Sequence, residues 1–503
     1  MRDLLPPPRG PSRRLSASLL SLLLFQASCP PAAPPPAEVP LPAAVPPPSP
    51  PRPDPTDQDG DGDRSMAAGG RDCDDGNPLV HSRASEACDG LDNNCDGHVD
   101  GGPGTLCLAL SVQGEHPGGE LGFRFGSPRD LDGDGIADVV AGARFADFEL
   151  DDMGWVGVWS GRDGRRFASW EGKGGGGLFG HTVLAGPDID GDGIADVIAA
   201  APLMAYGPIH RGTIAAYSAR SEHHLWHHLG EPNETTGWDL ALAGDQDGDG
   251  VEDLFVGSPG ANRVYALSGA TGRVIRRYDA PEPQGNFGWY VARIDDVDGD
   301  GISDLIVGAP GWQEPHRGDP GAAFLYSGGS GRLLRRFLGM RPGVLFGEVV
   351  AGLPDLDGDG APELIVSATE PRDGAGRAFV YSARSGRELF RLGGQHQGEL
   401  YGRMLTAIDD LDGDGVGDIA VAAPLAPVGE HERAGRIEIR SGRSGRSITT
   451  LLGDAPDLWL GWHMRAASDM LPSKTRGLLV SAIMQRGRNG VQVGALRFYA
   501  AGR

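Results

Sequence analysis

The sequence predicts an all-β chain, a seven-bladed β-propeller preceded by a small disulfide- and metal-stabilised module. Three observations carry this. A nine-residue pattern, D-x-D-G-D-G-x-x-D/E, recurs at 130–138, 188–196, 245–253, 296–304, 355–363 and 410–418, with starts 58, 57, 51, 59 and 55 residues apart. Glycine supplies 81 of 503 residues, about twice the usual share; each interior glycine disfavours a helix by about 1 kcal/mol against alanine. The last repeat stops one strand short, and residues 106–112 near the N-terminal end resemble the missing strand. A repeat of 50–60 residues that cannot bury its own faces closes by stacking on its neighbours.

The elements follow in chain order. Arg9, Arg13 and Arg14 precede an apolar stretch at 15–25, too short to span a bilayer and of the length of a signal-peptide core. Residues 1–28 are therefore expected to be a signal peptide. Two endings stay open: cleavage near Ala27 or Ser28, or a lipoprotein signal with a lipid anchor on Cys29. Residues 29–56 form a linker, with 14 prolines among residues 30–55, which favours an extended spacer. Without Cys29, the cysteines number four: Cys73, Cys88, Cys95 and Cys107. That even count suits two disulfides in an exported chain, with the pairing undetermined among three possibilities.

Residues 57–101 form an Asp/Cys-rich module. Asp57, Asp59, Asp61 and Asp63 alternate with small or polar residues, and Asp92, Asn94, Asp96 and Asp100 form a D-x-N-x-D-G-x-x-D run. Oxygen donors at such spacing, with glycine for the sharp turn, suit a hard cation such as Ca²⁺. One or two ions are expected here. The stretch from Asp72 to Asp100, including Glu86, resembles a bacterial metal-binding module with the pattern D-C-D-D…E-x-C-D-G-x-D-N-x-C-D-G-x-x-D.

The propeller is expected to fill 102–503. An aromatic–glycine pair precedes most loops: Phe125-Gly126, Phe179-Gly180, Phe287-Gly288, Phe346-Gly347 and Tyr401-Gly402, with Gly237-Trp238 as an inverted version and Leu460-Gly461 in the last repeat. An apolar run follows each loop, as in Leu305-Ile306-Val307, then Gly308-Ala309-Pro310, and two further short runs separated by glycine turns. Four such runs make a four-stranded blade. The seventh repeat has Asp469 where the loop should begin, in Ser468-Asp469-Met470-Leu471, so the loop chemistry is lost there.

Within each loop the expected side-chain ligands are positions 1, 3, 5 and 9, with the carbonyl of position 7. These are Asp130, Asp132, Asp134, Ile136 and Asp138; Asp188, Asp190, Asp192, Ile194 and Asp196; Asp245, Asp247, Asp249, Val251 and Asp253. The second half of the ring offers Asp296, Asp298, Asp300, Ile302 and Asp304; Asp355, Asp357, Asp359, Ala361 and Glu363; and Asp410, Asp412, Asp414, Val416 and Asp418. Two carboxylates about 4 Å apart repel by roughly 4 kcal/mol at an effective dielectric of 20, so six such sets call for about six Ca²⁺ ions. Those would bring the formal charge from −24 to about −12, at two charges per ion. Position 12 of loop 1 is Ala141 rather than Glu, and the flanks are strands, so these are not EF-hands.

The Phe-Gly pairs, the D-x-D-G-D-G loops and Gly308-Ala309-Pro310 together resemble the FG-GAP repeats of the integrin α-subunit propeller and its bacterial relatives, over 105–503. The resemblance implies seven blades and calcium in the loops joining the first two strands of a blade.

Net charge argues against nucleic acid and anionic lipid as partners. No apolar run beyond the N-terminus reaches the length of a transmembrane helix. Arg317-Gly318-Asp319 is an adhesion-type tripeptide expected in a blade 4 loop. His223, His224, His227 and His228 flank Trp226, where strand alternation splits them between faces. Gly172-Lys173-Gly174-Gly175-Gly176-Gly177 joins blades and opens no helix, so it is not read as a nucleotide loop. Asn233-Glu234-Thr235 is a glycosylation sequon. No H-E-x-x-H or G-x-S-x-G motif occurs. The functional expectation is a non-enzymatic, monomeric, exported adhesion or protein-binding module at the cell surface. Its expected contact face includes 205–211 and 312–319, opposite the metal loops. A lectin-like carbohydrate-binding propeller and a propeller hydrolase or lyase are the alternatives.

Overall fold

The computed structural model describes residues 56–502 apart from 60, 61, 79, 83–87, 89, 90, 96, 98–104, 149, 207, 208, 283 and 371–373. The signal peptide, Cys29 and nearly all of the linker, as well as Glu86, Asp61, Asp96 and Asp100, lie outside the described residues.

Among the described residues seven antiparallel blade sheets follow one another along the chain, with strands pairing in sequence order except at the closing strand of the seventh, and one two-stranded hairpin is inserted in blade 2. Blade 4 shows the pattern: Tyr290–Ile294, Asp304–Ala309, Ala322–Tyr326 and Leu333–Leu338 pair in that order. The second and third strands are buried at every residue, whereas only Phe337 is fully buried on the fourth. That gradient follows from position. An inner strand has a neighbouring blade on each face and reads as a continuous apolar run, while the outermost strand meets solvent. The blade-to-blade joint is too tight for a side chain. A Cβ on Gly308 would lie 2.1 Å from the carbonyl oxygen of Gly347 in the next blade, and Gly347 itself has φ +85°. Hence Gly-Ala-Pro on one blade and aromatic-Gly on the next are two halves of one contact.

The ring closes as the sequence predicts. Leu106–Gln113 pairs antiparallel with Ala495–Ala501, from Leu106 opposite Ala501 to Gln113 opposite Ala495, and completes a sheet with Thr475–Ala482 and Leu460–Met470. Disulfides join Cys73 to Cys95 and Cys88 to Cys107. Because Cys107 sits on the closing strand, the second disulfide ties the Asp-rich module to it.

Three local expectations need correction. The blade 1 landmark is Leu121-Gly122, not Phe125-Gly126. Gly122 has φ +84° and donates to Gly142 O, as Gly180 donates to Ala200 O and Gly288 to Gly308 O. It also stands eight residues before the loop, like every other landmark glycine. Gly237 occupies the same position (φ +88°, bonded to Gly257 O) with Thr236 before it, so repeat 3 is not inverted. Blade 1 has three full strands, Val139–Ala143, Trp155–Trp159 and Arg166–Glu171. In place of a first strand, its inner edge has the Gly122 bond to Gly142 O and bridges from Phe125 to Ala141 and from Arg129 to Asp138, because Pro128 offers no ladder N–H.

Candidate functional site

All six acidic loops fold alike. In loop 1 the Asp130 carboxylate accepts from the N–H groups of Gly133 (2.7 Å) and Gly135 (2.8 Å), Asp132 from Asp134 N–H (3.0 Å), and Asp134 from Ile136 N–H (2.8 Å). Gly133 and Gly135 both have positive φ, which is why glycine fills positions 4 and 6. Each carboxylate thus spends part of its capacity shaping the loop and turns the remainder toward its neighbours. Ligand atoms of Asp296, Asp298, Asp300 and Asp304 lie within 4.8 Å of one another, as do those of Asp355, Asp357, Asp359 and Glu363. In blades 1 to 3 the gathered sets are Asp130, Asp132 and Asp138; Asp188, Asp190 and Asp196; and Asp245, Asp247 and Asp249. Asp134, Asp192 and Asp253 stand outside them.

Position 9 does more than the sequence suggested. Asp138 is fully buried; one of its oxygens accepts from Leu131 N–H (2.8 Å), the other from Gly161 N–H in the hairpin joining strands 3 and 4 (2.9 Å). Asp196, Asp253, Asp304 and Asp418 make the same two bonds. This residue clamps the loop to the blade edge. Burial pushes the carboxyls up, Asp138 and Glu363 to about 7 and Asp196, Asp253 and Asp304 to about 6. Glu363 lacks the hairpin bond, and its Oε1 is a buried acceptor without a hydrogen-bond partner. An orphaned acceptor in a convergent all-oxygen set fits a hard divalent cation.

The seventh blade confirms why its loop fails. Leu460–Met470 and Thr475–Ala482 run on as a long hairpin, and its tip docks on blade 1 through Ala137 N–H to Asp469 O (3.0 Å) and Leu471 N–H to Gly161 O (3.3 Å). In the Asp-rich module, Gly62 N–H donates to Asp57 and Gly97 N–H to Asp92. Both are the position 6 to position 1 bond of the propeller loops. All four cysteines there are paired, so only oxygen donors come from this segment's predicted ligands.

A second feature escaped sequence reasoning. The residue after each landmark glycine opens the inner edge of its blade, at the end away from the acidic loop: Phe123, His181, Trp238, Trp289, Glu348, Arg403 and Trp462, several of which meet across blades. Ring centroids lie 5.2 Å apart for Phe123–His181, 4.8 Å for His181–Trp238 and 4.7 Å for Trp238–Trp289. Arg403 stands over Trp462 at 4.3 Å, and Trp459 stacks on Trp462. One residue further, Arg124 crosses the axis to Asp239 (3.5 Å) and to the Tyr290 ring (4.8 Å). Burial and the nearby arginines hold His181 and His463 well below the usual imidazole range, and burial lowers Arg144 to about 10. The signal was present, one residue after a fixed landmark, but seven different repeats supply five residue types there.

The surface loops fall where expected. Residues 317–319 are exposed on the connection between the second and third strands of blade 4, beside a bridge from Glu314 to Gly318. Ala205–Tyr206 and Ile209–His210 form a small hairpin at the same place in blade 2. The histidines differ from expectation: a register shift between His224 and Trp226 inserts a residue, and the His224 and His227 rings come within 5.4 Å.

Comparison with known proteins agrees with this geometry. The FG-GAP-like repeat model matches residues 245–307, and the FG-GAP repeat model matches 179–207 and 405–437. These matches fall on blades 2, 3, 4 and 6. The Cu-binding_MopE model, whose description is "Putative metal-binding motif", matches 72–101. Integrin alpha-V of Gallus gallus is 29% identical over 231 residues, 41% of this chain and 21% of that protein. Integrin alpha-4 of Xenopus laevis is 32% identical over 143 residues, 26% and 14% respectively. Phosphatidylinositol-glycan-specific phospholipase D of Rattus norvegicus is 30% identical over 182 residues, 31% and 20%. The matches therefore span about a seventh to a fifth of these relatives. A crystal structure of BBS1N in complex with ARL6DN aligns at a TM-score of 0.47 and 11% identity, over 79% of this chain and 97% of that one. No helix among the described residues is long and apolar enough to cross a membrane.

Proposed function

We propose that this chain is an exported, calcium-loaded FG-GAP propeller that binds a protein ligand at the axial end opposite its metal loops and carries out no chemistry itself. The observation that carries this reading is the half-buried stack of Trp459, Trp462 and Arg403, with the Phe123 ring 6.1 Å from that of Trp462. Tryptophan and arginine dominate the energetics of protein interfaces, and here they sit on a rigid closed ring. The integrin α relatives support a binding role. Two disulfides support an oxidising compartment. An adhesion role, a monomeric state, and either full secretion or a lipid anchor at Cys29 belong to the same proposal.

Calcium would be held in each loop by the carboxylates of positions 1, 3 and 5, the buried position 9 carboxylate and the position 7 carbonyl. The ion supplies the positive charge that lets these carboxylates converge. The chain's own residues set the loop shape through the glycine N–H groups and fasten it to the blade through position 9.

Capture of ligands from the native cell surface on immobilised protein tests the reading. Trp462→Ala and Arg403→Ala should each weaken capture by about thirtyfold, roughly the 2 kcal/mol of an interface hot spot, at an unchanged melting temperature. Equal capture by these variants contradicts the axial site. A glycan array addresses the carbohydrate alternative, since the same tryptophans can stack on sugars. The phospholipase D relatives favour one further reading, hydrolysis, and turnover of a phosphodiester substrate by the purified chain would establish it.

A further inference from the structure

We propose that the six loops form two classes of cation site, separated by arginines that reach in from the hairpin joining strands 3 and 4. The inference rests on the reading that the loops take divalent cations. In each loop the position 5 aspartate accepts at Oδ1 from the N–H of position 7, leaving Oδ2 to face the site. In blade 1 that Oδ2 accepts from Arg162 Nε at 2.7 Å on Asp134. In blade 2 Arg220 Nε lies 3.7 Å from Asp192 Oδ2, and in blade 6 Arg443 Nε donates to Asp414 Oδ2 at 3.2 Å. In blade 5 the guard has shifted: Arg387 donates to Asp357 Oδ2 at position 3 (3.3 Å), and Arg384 to the Asp359 carbonyl (2.6 Å).

Blades 3 and 4 have no such arginine. Their hairpins read Ser268-Gly269-Ala270 and Ser327-Gly328-Gly329, where the guarded blades read Ser160-Gly161-Arg162, Ser218-Ala219-Arg220, Ser382-Ala383-Arg384 and Ser441-Gly442-Arg443. Asp300 Oδ2 meets only the Ser327 hydroxyl, at 3.2 Å. The consequence is visible in the clusters: Asp134 and Asp192, each faced by an arginine, are the position 5 carboxylates missing from the gathered sets of blades 1 and 2, whereas Asp249 and Asp300 belong to theirs, as does Asp359 of blade 5, where the arginines meet Asp357 and a backbone carbonyl instead. A guanidinium and a divalent ion need the same oxygen, so an ion entering a guarded loop must displace the arginine. Blades 3 and 4 fill first, and the other four fill at higher concentration.

Calcium titration of the chelator-stripped full chain by isothermal calorimetry tests this. Two tight sites are expected, with four weaker by at least about tenfold. Arg162→Met should raise the tight count from two to three, and Arg162→Met, Arg220→Met and Arg443→Met together to five. Arg488→Met, exposed on the opposite face, removes the same charge and should leave two. Asp298→Ala with Asp300→Ala should remove one tight site and keep the weak class. Six equivalent sites in the wild-type chain, or the same gain from Arg488→Met as from Arg162→Met, overturns the two-class proposal while leaving the loops as cation sites. A chain that takes up no calcium overturns both.

Discussion

At the scale of single residues, the position 9 carboxylate links chemistry to stability. Its ordinary unfolded value lies near 3.8 to 4.5, and in the folded chain without metal it rises to about 7 in Asp138 and Glu363, because burial penalises the charge. The folded state then holds more protons than the unfolded state between those limits, so stability falls as pH rises through them. In a chelator the chain is expected to melt at a higher temperature at pH 5 than at pH 8. Saturating calcium should flatten or reverse that slope, because the ion favours the charged form. Paired melts at the two pH values check this; a steeper fall with calcium than without it contradicts the assignment. Asp298→Ala with Asp300→Ala should lower the melting temperature only in calcium and should leave the chelator value near that of the wild type. These loops were legible in the sequence because every position has a local role: aspartates bond their own loop and glycines supply positive φ. The guarding arginines were not, since they reach the loop from about 28 residues away.

At the scale of elements, the closing strand and the blade 7 hairpin carry the argument. Leu106–Gln113 supplies every backbone partner on one side of Ala495–Ala501, and the Cys88–Cys107 disulfide fixes the module to it. A chain beginning at Gly114 exposes that edge, and unpaired edges template aggregation. It is expected to aggregate or to be cut by protease within 460–503, whereas a chain beginning at Gly101 stays soluble and monomeric. Size-exclusion chromatography with limited proteolysis compares them; identical behaviour contradicts the closure. The sequence showed this strand because the chain ran short by one and a matching segment was left over. It misplaced the blade 1 landmark because Phe125-Gly126 imitates the motif four residues late, and only spacing to the loop separates the two. The histidine pair was missed because a bulge at Leu225 breaks the two-residue alternation.

At the scale of the whole molecule, the proposed calcium sites and ring closure would reinforce one another. Each loop joins the inner two strands of its blade, and the position 9 aspartates of blades 1, 2, 3, 4 and 6 fasten that loop to the outer hairpin, so an ion bound there would stiffen all four strands. The axial surface depends on this, because its residues come one from each blade and meet only when the ring is closed. The fold was legible from period and loop chemistry; the axial surface was not, because it is assembled from residues of unlike type about 50 to 60 positions apart. A ligand that binds only the folded state at a hundred times its dissociation constant stabilises by about 2.7 kcal/mol per site. The most direct test of the central claim is the thermal melting of the full chain in millimolar calcium against excess EGTA. A melting temperature several degrees higher in calcium is the expected result, and the same temperature in both would contradict the reading of the six loops as metal centres.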